Sequence, residues 1–297
     1  MRLITFETST GPALGVMPEL KSGDDTFAVL PELTMLSLIA LGEAGLEIAR
    51  KTLASGTRQS LSNIRLLAPI PEPRRNVFCL GWNYAEHSRE AAQARGKLSP
   101  KEQKLPERPI FFTKLGTAVN RPDGIIPLDT SVTNQLDWEV ELGVILGLGG
   151  KNIPREKAME HVFGYTIIND VSAREVQVSH GGQFFKGKSL DGTCPMGPWI
   201  ITADELPDPR GLSLRCRVND ELKQEGTTSD MIFDIPATLE WLSRGLTLLS
   251  GDVIATGTPS GVGFARTPPE FLRDGDTVEC EVERIGILRN QVQAENR

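Results

Sequence analysis

From Asn76 onward the chain is cut into short β-branched or apolar runs: Val77 to Leu80, Ile110 to Thr113, Val140 to Leu146, Phe163 to Asn169, Trp199 to Thr202, Leu212 to Val218, Asp252 to Thr256 and Thr277 to Val282. Glycine, proline and aspartate punctuate the gaps, as expected where strands are joined by tight turns. Two helical patterns interrupt this texture, Arg155 to Val162 and Pro236 to Leu249, the second with Leu239, Leu242 and Leu246 at helical spacing. Strict alternation of strand and helix is absent, which argues against a doubly wound parallel sheet. The pattern predicts an α+β, β-rich fold: a mixed β-roll or sandwich with a few flanking helices.

A smaller unit precedes it. Arg2 to Glu7 and Leu14 to Met17 read as strands, and Leu33 to Ala54 carries interrupted helical spacing. The stretch Ala68-Pro69-Ile70-Pro71-Glu72-Pro73 holds three prolines in five residues, a density that favours an extended connection. The chain therefore divides into a small N-terminal α+β domain, residues 1–70, and a larger domain, residues 75–297. A length of 297 residues suits that division.

With 39% hydrophobic and 24% charged residues the chain can bury a sizeable core and remain soluble. A net charge of −7 argues against nucleic-acid or anionic-membrane partners, which need clustered cations. Met1 to Glu7 lacks the pattern of a secretory signal. The most apolar long stretch, Leu30 to Leu46, is broken by Pro31, Glu32, Gly42 and Glu43, so it is not expected to span a bilayer. Cys79, Cys194, Cys216 and Cys280 form no CxxC pair. They predict reduced thiols in a cytoplasm and no zinc–thiolate centre.

The segment Asp137-Trp138-Glu139-Val140-Glu141-Leu142-Gly143-Val144 alternates with period two. Trp138, Val140, Leu142 and Val144 share one face, and Asp137, Glu139 and Glu141 share the other. Neighbouring carboxylates on that face lie roughly 6.5–7 Å apart along the backbone, within convergence range for two glutamates on one ion. An amphipathic strand with a solvated acidic face has the same pattern. Three like charges repel, however, and nothing basic interleaves in the segment, so a cation would relieve them. The run ending at Asn169 is followed by Asp170, an acid at a strand end where a third ligand is wanted. An all-oxygen set selects a hard ion, Mg²⁺ foremost, with Mn²⁺ and Ca²⁺ meeting the same requirement.

After the first predicted strand of the large domain comes Gly81-Trp82-Asn83-Tyr84-Ala85-Glu86-His87-Ser88-Arg89-Glu90. On a helical turn His87 and Glu90 stand at i and i+3, and a carboxylate bonded to imidazole fixes its tautomer and raises its basicity. A surface ion pair is the plainer reading of the same spacing. His161 falls in a predicted helix, and His180 lies in a Gly-rich loop as a second candidate. The polar stretch from Ala91 to Pro109 offers a lid. Lys186-Gly187-Lys188 reads as a solvated turn or, against a pocket, as a cation for a substrate carboxylate or enolate. The amides and hydroxyls of Thr256-Gly257-Thr258-Pro259-Ser260-Gly261-Val262-Gly263 are offered to carboxylate oxygens. No P-loop, dinucleotide fingerprint or GxSxG elbow is present.

In order along the chain, these pieces resemble the fumarylacetoacetate hydrolase family. The resemblance is carried by Gly81-x-Asn83-Tyr84-x-x-His87-x-x-Glu90, Pro109-Ile110-Phe111-Phe112-x-Lys114, Asp137-Trp138-Glu139-Val140-Glu141-Leu142 and Asn169-Asp170-Val171-Ser172-Ala173-Arg174. Further blocks are Lys188-Ser189-x-Asp191-Gly192, Met196-Gly197-Pro198-Trp199, Gly251-Asp252-x-Ile254-x-Thr256-Gly257-Thr258-Pro259-x-Gly261-Val262-Gly263 and Gly286-x-Leu288-Arg289-Asn290. It implies a β-roll catalytic domain of that family's C-terminal type, a homodimer, and a small-molecule 2-oxo acid substrate. It also implies Glu139, Glu141 and Asp170 as metal ligands, His87 and Glu90 as a lid dyad and Lys188 as the pocket lysine. Arg174, Gln177 and Thr258 become substrate contacts. The segment between Ala91 and Glu107 departs from the family pattern.

The activity expected first is hydrolysis of a carbon–carbon bond in an acylpyruvate, with His87 and Glu90 activating water and Lys188 stabilising the departing pyruvate enolate. Decarboxylation, tautomerisation or dehydration of a related 2-oxo acid would use the same enolate. A non-catalytic metal-binding or regulatory protein on the same scaffold is the reading from a different class.

Overall fold

The computed structural model describes residues 1–94, 96 and 104–295. The N-terminal segment forms strands β1 (Arg2–Thr8), β2 (Gly11–Met17), β3 (Thr26–Leu30) and β4 (Arg58–Ser60), with helices α1 (Met35–Ala40) and α2 (Glu43–Ser55) between the last two. Then follow β5 (Val77–Gly81), helix α3 (Ala85–Ala94), β6 (Ile110–Lys114), β7 (Val119–Asn120), β8 (Ile125–Leu128), β9 (Leu136–Asp137) and β10 (Val140–Leu146). After them come β11 (Val162–Asn169), β12 (Ser172–Ala173), helices α4 (Arg174–Ser179) and α5 (Phe184–Lys188) and β13 (Cys194–Thr202). The chain ends with β14 (Ser213–Val218), β15 (Glu221–Thr227), helix α6 (Ile235–Ser243), β16 (Val253–Ala255), β17 (Thr277–Val282) and β18 (Gly286–Ala294). No helix among the described residues is long and apolar enough to cross a membrane.

One large sheet runs β4-β3-β2-β1-β13-β11-β10-β16-β5-β6, with β7 added to β13. The N-terminal strands join it directly, because β1 pairs antiparallel with β13 at Arg2↔Ile201 and Leu3↔Ile200. A five-stranded sheet, β15-β14-β17-β18-β8, packs against one face. Alternation explains the layering. Trp138, Val140, Leu142, Val144 and Leu146 enter a core shared with Leu214, Cys216, Val278, Cys280, Leu288 and Val292 of the smaller sheet. On the opposite face Ile145, Ile168, Met196, Ile200, Val253 and Ala255 pack under Leu38 and Ile39 of α1 and Ala49 of α2. The acidic half of the β10 face therefore continues into an apolar half, which fastens the strand beside its carboxylates.

The predicted β-rich α+β architecture is the one observed. Two helical expectations are corrected. Arg155 to Val162 is a 3-10 segment, Arg155–His161, rather than an α-helix. The helix expected to reach Leu249 ends at Ser243, since Arg244 turns extended and Gly245 takes φ +74°. Strand β13 starts at Cys194, five residues before the Trp199 read from β-branched density, because prolines and glycine disguise its first half. Strands β15 and β18, rich in polar residues on their outer faces, carried too little apolar signal to be marked, and β8 is a four-residue run interrupted by Pro127.

Candidate active site

The register of β10 against β11 builds the acidic cluster. Val140 pairs with Asn169 and Glu141 with Ile168, so Asp170 falls beside Glu139, whose carbonyl accepts from the Asp170 amide at 2.9 Å. Carboxylate oxygens of Glu139, Glu141 and Asp170 lie within 4.8 Å of one another, and all three side chains are buried. The short break between β9 and β10 is held by the Asn169 side chain, which accepts from the Glu139 amide at 3.1 Å.

Nothing basic interleaves in the segment itself, and cations reach the cluster from other elements. Lys188, at the end of α5, donates to Glu139 at 2.6 Å and to Asp170 at 2.7 Å. Lys114, at the end of β6 and fully buried, stands 2.8 Å from the other Asp170 oxygen and donates to the Val171 carbonyl at 3.0 Å. Arg174, the first residue of α4, lies 2.8 Å from Glu139 through Nη1 and 2.7 Å from Asp137 through Nε. Glu141 is different: its Oε2 accepts from the Gly257 amide at 2.7 Å, and its buried Oε1 has no partner among the described residues.

The titration behaviour follows that asymmetry. Burial, reinforced by the charges of Asp170 and Glu139, pushes the Glu141 carboxyl well above its usual range. For Glu139 burial acts in the same direction but is outweighed by Lys188 and Arg174, which hold it down at about 2. Burial works against the Lys188 charge, yet Asp170 and Glu139 raise its pKa. Three convergent carboxylates with an orphaned oxygen on Glu141 form a hard-donor set that fits a divalent cation.

His87 and Glu90 lie on α3, with Nδ1 of His87 2.9 Å from Oε1 of Glu90. Glu90 also accepts from the Gly261 amide at 2.9 Å. His87 is 5% exposed, so the plain surface ion pair does not describe it. His87, Glu139, Glu141 and Lys188 line one cavity together with Arg174, Gln177 and Thr258. Glu90 braces His87 from behind, and Asp170 is fully buried beneath Lys188. The Thr258 hydroxyl is already engaged, donating to the Val140 carbonyl at 2.9 Å and accepting from Gln224 at 2.8 Å. His161 bonds the Leu148 carbonyl at 2.9 Å, and His180 caps α4 away from the cavity lining.

The amides of the loop after β16 hold carboxylate oxygens, as expected. Those carboxylates are the protein's own: Gly257 serves Glu141, Gly261 serves Glu90 and Gly263 serves Asp137. Lys114, the bracing role of Asp137 and the aromatic walls Phe112, Phe184 and Phe264 were not singled out from sequence. A lysine closing an apolar strand, within the Pro109-Ile110-Phe111-Phe112-x-Lys114 block of the resemblance, was the available signal for Lys114. Residues 95 and 97–103 of the expected lid, Ala91 to Pro109, lie outside the described residues.

The fumarylacetoacetate hydrolase C-terminal family model matches residues 76–293. The chain is 48% identical over 233 residues to oxaloacetate tautomerase YisK of Bacillus subtilis (strain 168), covering 78% of this chain and 74% of that protein. It is 40% identical over 299 residues to the mitochondrial oxaloacetate tautomerase fahd2 of Xenopus laevis, covering 98% and 90%. Among solved structures, a fumarylacetoacetate hydrolase from Exiguobacterium antarcticum superposes with a TM-score of 0.83 at 39% identity, over 99% of this chain and 100% of that one. A maleylpyruvate hydrolase from Sphingobium sp. SYK-6 gives 0.79 at 29%, over 99% and 100%. With its acidic cluster, His–Glu pair and β-roll in place, the chain belongs to the fumarylacetoacetate hydrolase family.

Proposed function

We propose that the protein is a divalent-metal-dependent tautomerase of an oxaloacetate-like 2-oxo dicarboxylic acid, interconverting its enol and keto forms. The observation that carries this reading is Arg174. Its Nη2 is buried, has no partner among the described residues and belongs to a side chain that lines the cavity holding the three carboxylates. A buried donor left unpaired is costly. A substrate with a second carboxylate would satisfy it while its 2-oxo acid end lies at the acidic cluster. The relatives named oxaloacetate tautomerases support the same choice.

Glu139, Glu141 and Asp170 would hold a divalent ion, Mg²⁺ in this reading, which would supply Lewis acidity to the bound 2-oxo acid. Glu90 holds Nδ1 of His87, which leaves Nε2 to carry the proton between the C2 oxygen and C3. The Lys188 ammonium, kept protonated by its carboxylate neighbours, opposes the negative charge that develops on the substrate oxygen in between. Gln177 and Thr258 border the bound acid, and Phe112 and Phe184 exclude water from it.

Adding enol oxaloacetate to the Mg²⁺-loaded protein and following the loss of enol absorbance tests the reading. Acceleration abolished by EDTA is the expected result, and a rate no faster than buffer with metal bound would sink it. The enclosed His87–Glu90 pair favours one second reading, water activation and hydrolysis of an acylpyruvate to pyruvate and a carboxylic acid. Release of pyruvate and a carboxylic acid from acylpyruvates, or of carbon dioxide from oxaloacetate, separates hydrolysis and decarboxylation from tautomerisation. The family resemblance supports a homodimer, which light scattering measures directly. Four unpaired, buried cysteines fit a reducing cytoplasm.

A further inference from the structure

We propose that Asp137 is a positioning residue that aims Arg174 at the substrate's second carboxylate and thereby makes the site selective for 2-oxo dicarboxylates over 2-oxo monocarboxylates. The inference rests on the tautomerase reading above.

Asp137 is fully buried and does not line the cavity. Its Oδ2 accepts from Arg174 Nε at 2.7 Å and from the Phe264 amide at 3.0 Å, and its Oδ1 accepts from the Gly263 amide at 2.7 Å and the Trp138 amide at 2.8 Å. One carboxylate thus ties the end of β9, the first residue of α4 and the loop after β16. The approach is close enough that a Cβ on Gly263 would meet Asp137 Oδ1 at 2.7 Å and the Glu270 carbonyl at 2.1 Å. The Arg174 guanidinium stacks on the Phe264 ring, 4.5 Å from its centroid, so Asp137 holds both members of the stacked pair.

A guanidinium is rigid and planar. With Nε fixed by Asp137 and Nη1 by Glu139, the plane is set and Nη2 has one direction left. The orphaned donor is therefore a consequence of the two acceptors around it. An asparagine at 137 keeps the shape but offers one acceptor oxygen. If that oxygen stays with the Gly263 and Trp138 amides, its NH₂ faces the Arg174 and Phe264 donors, and Arg174 must leave its plane.

The test uses full-length, Mg²⁺-loaded protein with enol oxaloacetate and enol phenylpyruvate as substrates. For Asp137→Asn the ratio of kcat/KM for the dicarboxylate to that for the monocarboxylate should fall about tenfold or more, the scale of one charge-assisted hydrogen bond. The change should reside in KM for oxaloacetate. Adding Asp137→Asn to Arg174→Lys should lower the ratio no further, since both act through one contact. Equal losses for both substrates, an unchanged ratio, or independent effects in the double variant would overturn the proposal. Should Asp137→Asn not fold, Arg174→Lys alone decides: lysine has no planar fork to hold Asp137 and Glu139 while a third nitrogen is aimed at substrate, so a retained ratio also overturns it. Calorimetric binding of oxaloacetate and pyruvate to Mn²⁺-loaded protein separates the two readings. There the affinity ratio should fall in the variants even if wild-type protein shows no tautomerisation, a result that would remove the functional reading alone.

Discussion

At the scale of single residues, the site is a negotiation among buried charges. Glu141 holds the carboxyl that burial and its acidic neighbours push above the ordinary range. A carboxyl with a raised folded-state pKa stabilises the fold below its unfolded pKa and loses that stabilisation as pH rises towards the folded value. Metal-free protein should therefore lose thermal stability from about pH 5 upward, since an unperturbed glutamate titrates near 4.3. Mg²⁺ should restore more stability at higher pH, because it replaces the proton. Melting curves across that range, with and without metal, check this, and Glu141→Gln should flatten the metal-free slope. His87 does different work. His87→Ala should lower turnover by about 10²-fold or more, the usual cost of losing a proton-transfer group, while calorimetric Mn²⁺ binding persists. Loss of both together would move His87 from the reaction to the scaffold.

Among the elements, the loop after β16 decides most. It bonds Glu141, Glu90 and Asp137 by backbone amides, so its shape sets three side chains at once. Gly261 sits at φ +101°, and a Cβ there would lie 2.2 Å from the Lys223 carbonyl. Gly261→Ala should destabilise by about 2 kcal/mol or more, combining left-handed strain with a backbone clash, and lower activity through Glu90. Gly245→Ala supplies the comparison: φ is +74° but nothing lies within 4 Å, so strain alone acts, about 1 kcal/mol. Chemical unfolding of the two variants should rank them in that order, and equal losses would show that the clash is relieved at no cost. Glycine and proline density marks this loop in the sequence, but the carboxylates that use its amides come from remote elements, β9, β10 and α3.

For the whole molecule, the central sheet does not stop at the proline-rich connection. Strand β1 completes the edge of β13, and α1 and α2 cover Ile145, Ile168 and Ile200 on the face behind the site. We propose residues 1–70 as a domain in topology only, one that cannot be removed from the rest. Deleting residues 1–70 should leave a chain that is insoluble or molten, because it exposes an unpaired strand edge and an apolar face. Soluble expression, near-ultraviolet circular dichroism and Mn²⁺ binding of residues 75–297 measure this. A folded, metal-binding fragment would mean that the sheet tolerates the missing edge.

The amino-acid sequence alone determined what depends on local periodicity. Alternation along 137–144 is a property of one strand, so it separates Glu139 and Glu141 from Trp138, Val140 and Leu142 before any partner is known. The i, i+3 spacing does the same for His87 and Glu90 on α3. Tertiary structure decided what depends on register and crossing. The pairing of Val140 with Asn169 brings Asp170 to Glu139, and remote chain segments deliver Lys114, Lys188 and Arg174 to neutralise the cluster. Non-local hydrogen bonds and desolvated charges leave no periodic trace in a chain, because their partners are chosen only when the sheet closes.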